Sequence, residues 1–193
     1  STLGAGFFSS QTSQPVFDVI GPAVEEALRV TRNGKIGVIG TRATVLSGVY
    51  EQQLKEKTGI EVYSAACPLF VSLVEEGWLD RPETESIARH YLKPLLEKNI
   101  DTLILGCTHY PLLAPVIQKI VGDAAVLVDS AVSTAARVKK YLVEQQPDMP
   151  KNKPAHRFCL TDFAPHYDMI ASSWLNIPVA FERIELSEAI RLV

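Results

Sequence analysis

The residues best suited to chemistry form one short segment, in which Cys107 is followed by Thr108 and His109. Cys107 comes directly after a predicted strand at 101–105 and Gly106, and Pro111 opens the next amphipathic stretch. This order predicts a buried strand, a turn and a helix whose N-terminal end lies near the Cys107 sulfur. The positive end of a helix favours the thiolate, so the sequence predicts a lowered pKa for Cys107.

A thiolate in this position would suit a general base acting on a carboxylate-bearing substrate. His109 could position a proton or bind an anion, and Thr108 adds a hydroxyl and a backbone N–H. A buried cysteine beside a hydrogen-bonded histidine explains the same pattern, and local sequence leaves the two interpretations evenly balanced.

The other two cysteines favour packing roles. Cys67 also follows a predicted strand, but the residues after it, 68–71, are apolar. Cys159 lies inside a predicted strand. Free cysteine is among the most buried residue types, so we expect both to belong to the core. The chain has no CxxC pair and no clustered Cys/His set, so no metal site is predicted.

Two further candidates have ordinary explanations. Glu75 and Glu76 precede Gly77 at the end of a predicted short helix. The usual interpretation is a solvated acidic pair. The more specific hypothesis is that one carboxylate orients His109. Thr41, Arg42 and Thr44 could bind an anion at a helix N-terminus, but could equally be capping residues.

The elements that must position these residues alternate regularly between strand and helix, which predicts an α/β fold: a three-layer α/β/α arrangement with a parallel sheet. In such a sheet ligands bind beyond the carboxyl ends of the strands, where three polar or glycine-rich segments lie, at 40–44, 66–68 and 106–111. The predicted strands are 35–40, 60–65, 101–105 and 125–128, and the predicted helices are 41–57, 68–76, 82–98, 111–121 and 130–144. Ser130 is a candidate cap for the last of these helices.

A polar, proline-rich stretch at 147–154 predicts a linker. Beyond it we expect a strand at 156–160, a helix at 165–174 and a strand at 179–184. The formal net charge is -3, with acids and bases mixed, and no apolar run approaches the roughly 20 residues that span a bilayer. The composition therefore favours a protein that binds neither nucleic acid nor membranes, and we expect a cytoplasmic location.

The segment 106–113 (GCTHYPLL) resembles the second cysteine motif of bacterial glutamate racemases. Related aspartate racemases typically carry an acidic residue where this chain has His109. Three more segments resemble the same family in order and spacing: 36–47, 66–77 and 128–130. The resemblance extends from about Pro15 to the C-terminus and is weakest after Pro147.

This resemblance implies interconversion of L- and D-glutamate by two thiols that face each other across the α-carbon, with neither a cofactor nor a metal. The product would supply peptidoglycan synthesis. Cys107 would be one of the two thiols, Thr108 and His109 would contact substrate, and His109 would assist proton transfer. Glu75 matches the glutamate that orients this histidine, and Thr44 matches a substrate-pocket threonine.

One departure from the family pattern bears on activity. Neither an Asp-Ser-Gly motif nor the Cys-Asn-Thr motif of the first catalytic thiol is found. We therefore expect half of a pseudo-symmetric two-domain racemase plus a segment of the other half. Residues 1–14 would be a helix remnant, 15–130 the α/β domain that carries Cys107, and 131–193 a segment that packs with the N-terminal domain.

Two alternatives to glutamate racemisation stay open. The first is another racemase or a decarboxylase of the same superfamily, against which His109 and the residues that follow it argue. The second is a catalytically inactive fragment that acts only as an interaction module. Family members commonly dimerise, so a homodimer is possible.

Overall fold

A computed structural model of the protein describes Ser10 and residues 12–145, 156–162 and 167–185. The chain divides into two compact units, 1–145 and 146–193. The polar stretch at 147–154 that predicts a linker lies outside the described residues. The family resemblance implies a different division, after residue 130, between the two domains of a complete racemase. That division stays a prediction.

The first unit is built on a four-stranded parallel sheet with the order β2-β1-β3-β4. The strands are β1 (Lys35–Gly40), β2 (Glu61–Ala66), β3 (Thr102–Leu105) and β4 (Val126–Asp129). The α-helices are α1 (Gly21–Val30), α2 (Arg42–Ser47), α3 (Val49–Lys55), α4 (Leu69–Glu75), α5 (Pro82–Leu96), α6 (Ala114–Val121) and α7 (Ser130–Gln145).

Both faces of the sheet are buried by helices. Because successive side chains of a strand point to opposite faces, Ile36 and Val38 pack with α1 and α3, whereas Ile39 packs with α4, α5 and α6. Strand β3 divides in the same way, with Ile104 on the first face and Leu105 on the second. The predicted three-layer α/β/α architecture is confirmed.

Two predicted helices are interrupted in the structure. The helix expected at 41–57 is two helices, because Gly48 between α2 and α3 has a left-handed backbone with φ 63°. The helix expected at 111–121 begins instead with a 3₁₀ turn, Tyr110–Leu113, before α6 continues it.

The start of α7 corrects the expected cap. The Asp129 carboxylate accepts hydrogen bonds from the N–H groups of Ala131 and Val132, at 2.7 and 3.1 Å. Ser130 is buried, and its hydroxyl donates to the Leu105 carbonyl on β3 at 3.2 Å. Ser130 therefore joins α7 to the end of β3, and Asp129 is the capping residue.

The second unit contains β5 (Phe158–Leu160), α8 (Tyr167–Leu175) and β6 (Phe181–Arg183), with the two strands parallel. The expected strand, helix and strand are confirmed in that order, although residues 163–166 lie outside the described part. Across the described ranges of both units, no helix is long and apolar enough to cross a membrane.

Candidate active site

The carboxyl ends of the parallel strands meet at one edge of the sheet. Gly40 pairs with Ala66, and Leu105 pairs with both Ile39 and Asp129. The chain segments that leave these strand ends therefore start side by side. They carry Thr41, Cys67, Cys107 and Ser130, so the edge of the sheet brings together the segments that the sequence singled out.

Cys107, His109 and Glu75 form a line at this edge. The Cys107 Sγ lies 4.0 Å from Nδ1 of His109, and Nε2 of the same ring lies 3.3 Å from Oε1 of Glu75. Glu75 is the last residue of α4, and His109 lies in the turn after β3. In the tautomer that carries its proton on Nε2, towards the carboxylate, Nδ1 is the acceptor that faces the sulfur.

The packing between α4 and the 3₁₀ turn holds this line together. The Phe70 and Tyr110 rings meet edge to face with centroids 5.2 Å apart, and both side chains are fully buried. The Tyr110 hydroxyl donates to the Cys67 carbonyl at 2.8 Å. These contacts connect the element that carries Glu75 to the turn that carries His109.

The expected lowering of the Cys107 pKa is wrong in this structure. Burial of the half-buried thiol is the largest effect and raises its pKa, while the backbone N–H groups of His109 and Tyr110 act in the lowering direction. Backbone N–H donors that favour the thiolate are therefore present, as expected near a helix start, but they are two amides of a tight turn. Their effect is smaller than the cost of removing the thiolate from water.

Cys107 opens into a cavity of about 110 Å³. Thr44 and Thr108, both expected to contact substrate, lie on the same cavity, and Thr108 is exposed. The structure thus brings Thr44, Cys107 and Thr108 together. The other lining residues are Val19, Ile20, Tyr50, Gly106 and Ser130.

The turn that carries Thr44 is fixed by capping. The Thr41 hydroxyl accepts a hydrogen bond from the Thr44 N–H at 3.2 Å and lies 3.0 Å from the Thr44 hydroxyl oxygen. Gly40 lies close to this threonine, since a Cβ at Gly40 would stand 3.0 Å from Thr44 Cβ. Thr41 is therefore a capping residue, as the more ordinary of the two interpretations expected.

Cys67 is a core residue, as predicted. Its side chain is fully buried, its Sγ donates to the Ala65 carbonyl at 3.7 Å, and burial raises its pKa to about 12. A thiol of this kind stays protonated through the physiological range. Cys159 lies in β5 and is partly buried.

Sequence reasoning missed two residues that line the cavity. The sequence pattern indicates a core position in an amphipathic helix for Tyr50 and a helix cap for Ser130. Only the placement of α3 and α7 against the ends of β1 and β3 reveals that both side chains reach the cavity. Within the described ranges, no cluster of three or more His, Cys, Asp or Glu side chains is arranged to hold a metal ion.

Comparison with known proteins places the chain in a family. Residues 4–138 match the sequence profile of the Asp/Glu/hydantoin racemase family. A glutamate racemase from Persephonella marina is 42% identical over 174 residues, which are 90% of this chain and 65% of that protein. The chain spans between about half and two thirds of the length of the curated relatives it matches.

Solved structures agree with the sequence comparison. The glutamate racemase isoform RacE1 from Bacillus anthracis superposes with a TM-score of 0.87 at 37% identity, covering 96% of this chain and 71% of that one. A glutamate racemase from Francisella tularensis, solved in complex with D-glutamate, gives 0.86 at 32% identity, covering 97% and 72%. The chain therefore belongs to the Asp/Glu/hydantoin racemase family, and the relatives with which it shares these identities are glutamate racemases.

Proposed function

We propose that this protein interconverts L- and D-glutamate without a cofactor: one thiol removes the α-proton, and a second thiol delivers a proton to the opposite face of the α-carbon. Cys107 is one of these thiols. The observation that carries the proposal is the alignment of Glu75, His109 and Cys107 beside a cavity that opens at the sulfur. The Francisella tularensis relative binds D-glutamate, which supports the choice of substrate.

The first step of this chemistry is ionisation of Cys107. Burial raises the pKa of this thiol, so it needs an acceptor to form a thiolate near neutral pH. Nδ1 of His109, 4.0 Å from the sulfur, accepts the proton. The Glu75 carboxylate, 3.3 Å from Nε2, favours the tautomer in which Nδ1 is the acceptor and stabilises the imidazolium that forms.

Proton transfer at carbon follows. The Cys107 thiolate takes the α-proton and becomes a thiol, which leaves the electron pair on the α-carbon. A second thiol delivers its own proton to the opposite face and becomes a thiolate. The protein is left with a thiol at Cys107, a thiolate at the second cysteine and the first proton still on His109, and from this state the two thiols exchange roles for the reverse reaction.

The second thiol is not Cys67. Its sulfur is fully buried and points to the Ala65 carbonyl, and its pKa near 12 keeps it protonated. We propose that the second thiol belongs to the part of the relatives' length that this chain does not cover. Thr44 and Thr108 contact the substrate from the cavity wall, where their hydroxyls can donate to a carboxylate.

Three further proposals come from the family alone: that the D-glutamate supplies peptidoglycan synthesis, that the enzyme acts in the cytoplasm, and that it forms a homodimer. The substrate is the part that is easiest to test. Glutamate should react and aspartate should not, because the turn carries His109 where aspartate racemases typically carry an acid.

The test is conversion of D-glutamate to L-glutamate with no added cofactor, together with deuterium uptake at the α-carbon in D₂O. Uptake with conversion supports the complete reaction. Uptake without conversion supports Cys107 as one working thiol of the pair. A folded sample that gives neither would overturn the proposal for this chain.

A further inference from the structure

Tyr50 is a buried residue with its polar end in the cavity beside Cys107. Its side chain is 4% exposed and belongs to the core cluster beneath β1 and β3, yet it lines the same cavity as the thiol. No described residue hydrogen-bonds to its hydroxyl, and no buried side-chain oxygen in the described ranges is left unpaired. The hydroxyl therefore opens into the cavity.

The Tyr50 ring also packs against the turn that carries the thiol. A Cβ built at Gly106 would lie 3.1 Å from Tyr50 Cε2 and 2.8 Å from the Ile39 carbonyl oxygen. The Gly106 N–H donates to that same carbonyl at 2.8 Å. Gly106 is thus held between β1 on one side and the tyrosine ring on the other, which fixes the residue directly before Cys107.

Burial, with a smaller effect from nearby negative charges, keeps the Tyr50 hydroxyl protonated. Burial raises its pKa to about 12, and the negative charges of Asp18 and of the Cys107 thiolate add to this. The other titratable groups near the thiol are His109 and Tyr110, both in the turn after β3. Tyr50 therefore presents a neutral O–H donor, and a thiolate in the same cavity is a natural acceptor.

We propose, on the basis of the function proposed above, that Tyr50 is a positioning residue for Cys107. Its ring holds the Gly106–Cys107 turn, and its hydroxyl donates to the Cys107 thiolate across one water in the cavity. A cavity of about 110 Å³ has room for such a water, whose share of liquid volume is about 30 Å³.

The alternative is that Tyr50 is only a packing residue, and the thiol titration separates the two. The rate of iodoacetamide alkylation is followed against pH on the whole chain, by mass spectrometry of the peptide that contains Cys107. Tyr50→Phe keeps the ring and removes the donor, so the Cys107 pKa should rise by about one unit. Alkylation at a fixed pH below that pKa should slow about tenfold.

A matched control removes a hydroxyl elsewhere on the sheet. Tyr63 lies on β2 with its hydroxyl donating to Glu61, away from the cavity, so Tyr63→Phe should leave the Cys107 titration unchanged. A Tyr50→Phe titration that coincides with the wild-type curve would overturn the proposal. So would an equal shift in both variants, because the effect would then not be specific to the cavity.

A second substitution guards against loss of folding in the phenylalanine variant. Site-specific replacement of Tyr50 by 3-fluorotyrosine keeps the shape and makes the hydroxyl a stronger donor, so the Cys107 pKa should fall. An unchanged pKa there would also overturn the proposal. The titration uses no substrate, so an inactive chain that shows these shifts would count against racemisation and not against the role of Tyr50.

Discussion

His109 Nε2 lies 3.3 Å from Glu75 Oε1, and this contact joins the end of α4 to the turn after β3. The opposite nitrogen of the ring faces Cys107 Sγ at 4.0 Å. A single imidazole therefore connects a carboxylate to a thiol whose pKa burial raises. The proposed proton transfer from Cys107 depends on this arrangement, so the Glu75 carboxylate should affect the rate of exchange.

Replacing Glu75 by glutamine should slow glutamate α-proton exchange by about 100-fold, because the neutral amide no longer stabilises the imidazolium or fixes its tautomer. The next residue supplies a matched control: Glu76 is exposed and makes no described contact with His109, so Glu76→Gln should exchange at the wild-type rate. Exchange rates measured by NMR in D₂O check this. Equal rates in the two variants would show that the Glu75 contact is not used.

Gly106 should not tolerate a side chain. A Cβ there would meet the Ile39 carbonyl oxygen at 2.8 Å, a backbone atom that cannot rotate away. Gly106→Ala should therefore lower the free energy of unfolding by about 2 kcal/mol and displace Cys107. At Gly21, at the start of α1, the nearest atom would be an Asp18 oxygen at 3.5 Å, so Gly21→Ala should change stability by less than about 1 kcal/mol.

Urea unfolding and the rate of Cys107 alkylation measure the two effects of the glycine substitutions. A Gly106→Ala variant as stable as Gly21→Ala, with an unchanged alkylation rate, would contradict the close packing of Tyr50 and Ile39 around this turn.

Cys67 should make the protein sensitive to alkaline pH. Burial raises its pKa to about 12 in the folded state, against roughly 8.5 in an unfolded chain. Below pH 8.5 both states hold the proton, and the full stability is present. As pH rises from there towards 12, the unfolded chain releases the proton and the folded chain keeps it, so the free energy of unfolding falls.

Comparison of urea unfolding at pH 8 and pH 10.5 tests this effect. The wild-type protein should lose about 2 kcal/mol more than Cys67→Ala over this interval. Cys159→Ala, which removes a thiol from β5, should keep the wild-type pH dependence. A Cys67→Ala variant with the wild-type dependence would show that this thiol does not titrate as its burial requires.

The parallel sheet and its helices could be predicted from the sequence because short apolar runs, such as the glycine-bounded, β-branched run at 35–40, alternate with amphipathic stretches. Periodicity did not reveal the break at Gly48, since the residues on both sides keep helical spacing and only the left-handed backbone ends α2. The predicted cap of α7 was wrong for a related reason. Asp129 and Ser130 are both suitable capping residues, but the Ser130 hydroxyl donates to the Leu105 carbonyl and Asp129 caps the helix.

The candidate site was partly visible in the sequence. Cys107 and His109 stand out because they are close together after a strand, whereas the contact between Glu75 and His109 depends on how α4 packs against the 3₁₀ turn. Tyr50 gave no signal, because a tyrosine on an amphipathic helix has the pattern of a core residue. The rise in the Cys107 pKa is caused by burial of the thiol, and no local sequence pattern indicates that burial.

The most direct test of the account is deuterium incorporation at the glutamate α-carbon by the wild-type protein, Cys107→Ser and Cys159→Ser, each shown to be folded. The wild-type protein and Cys159→Ser should incorporate deuterium without any cofactor. Cys107→Ser should be slower by at least about 1,000-fold, because a serine hydroxyl is too weakly acidic to form the anion that would act as the base. Incorporation by Cys107→Ser at the wild-type rate would contradict the assignment of Cys107 as the acid/base thiol.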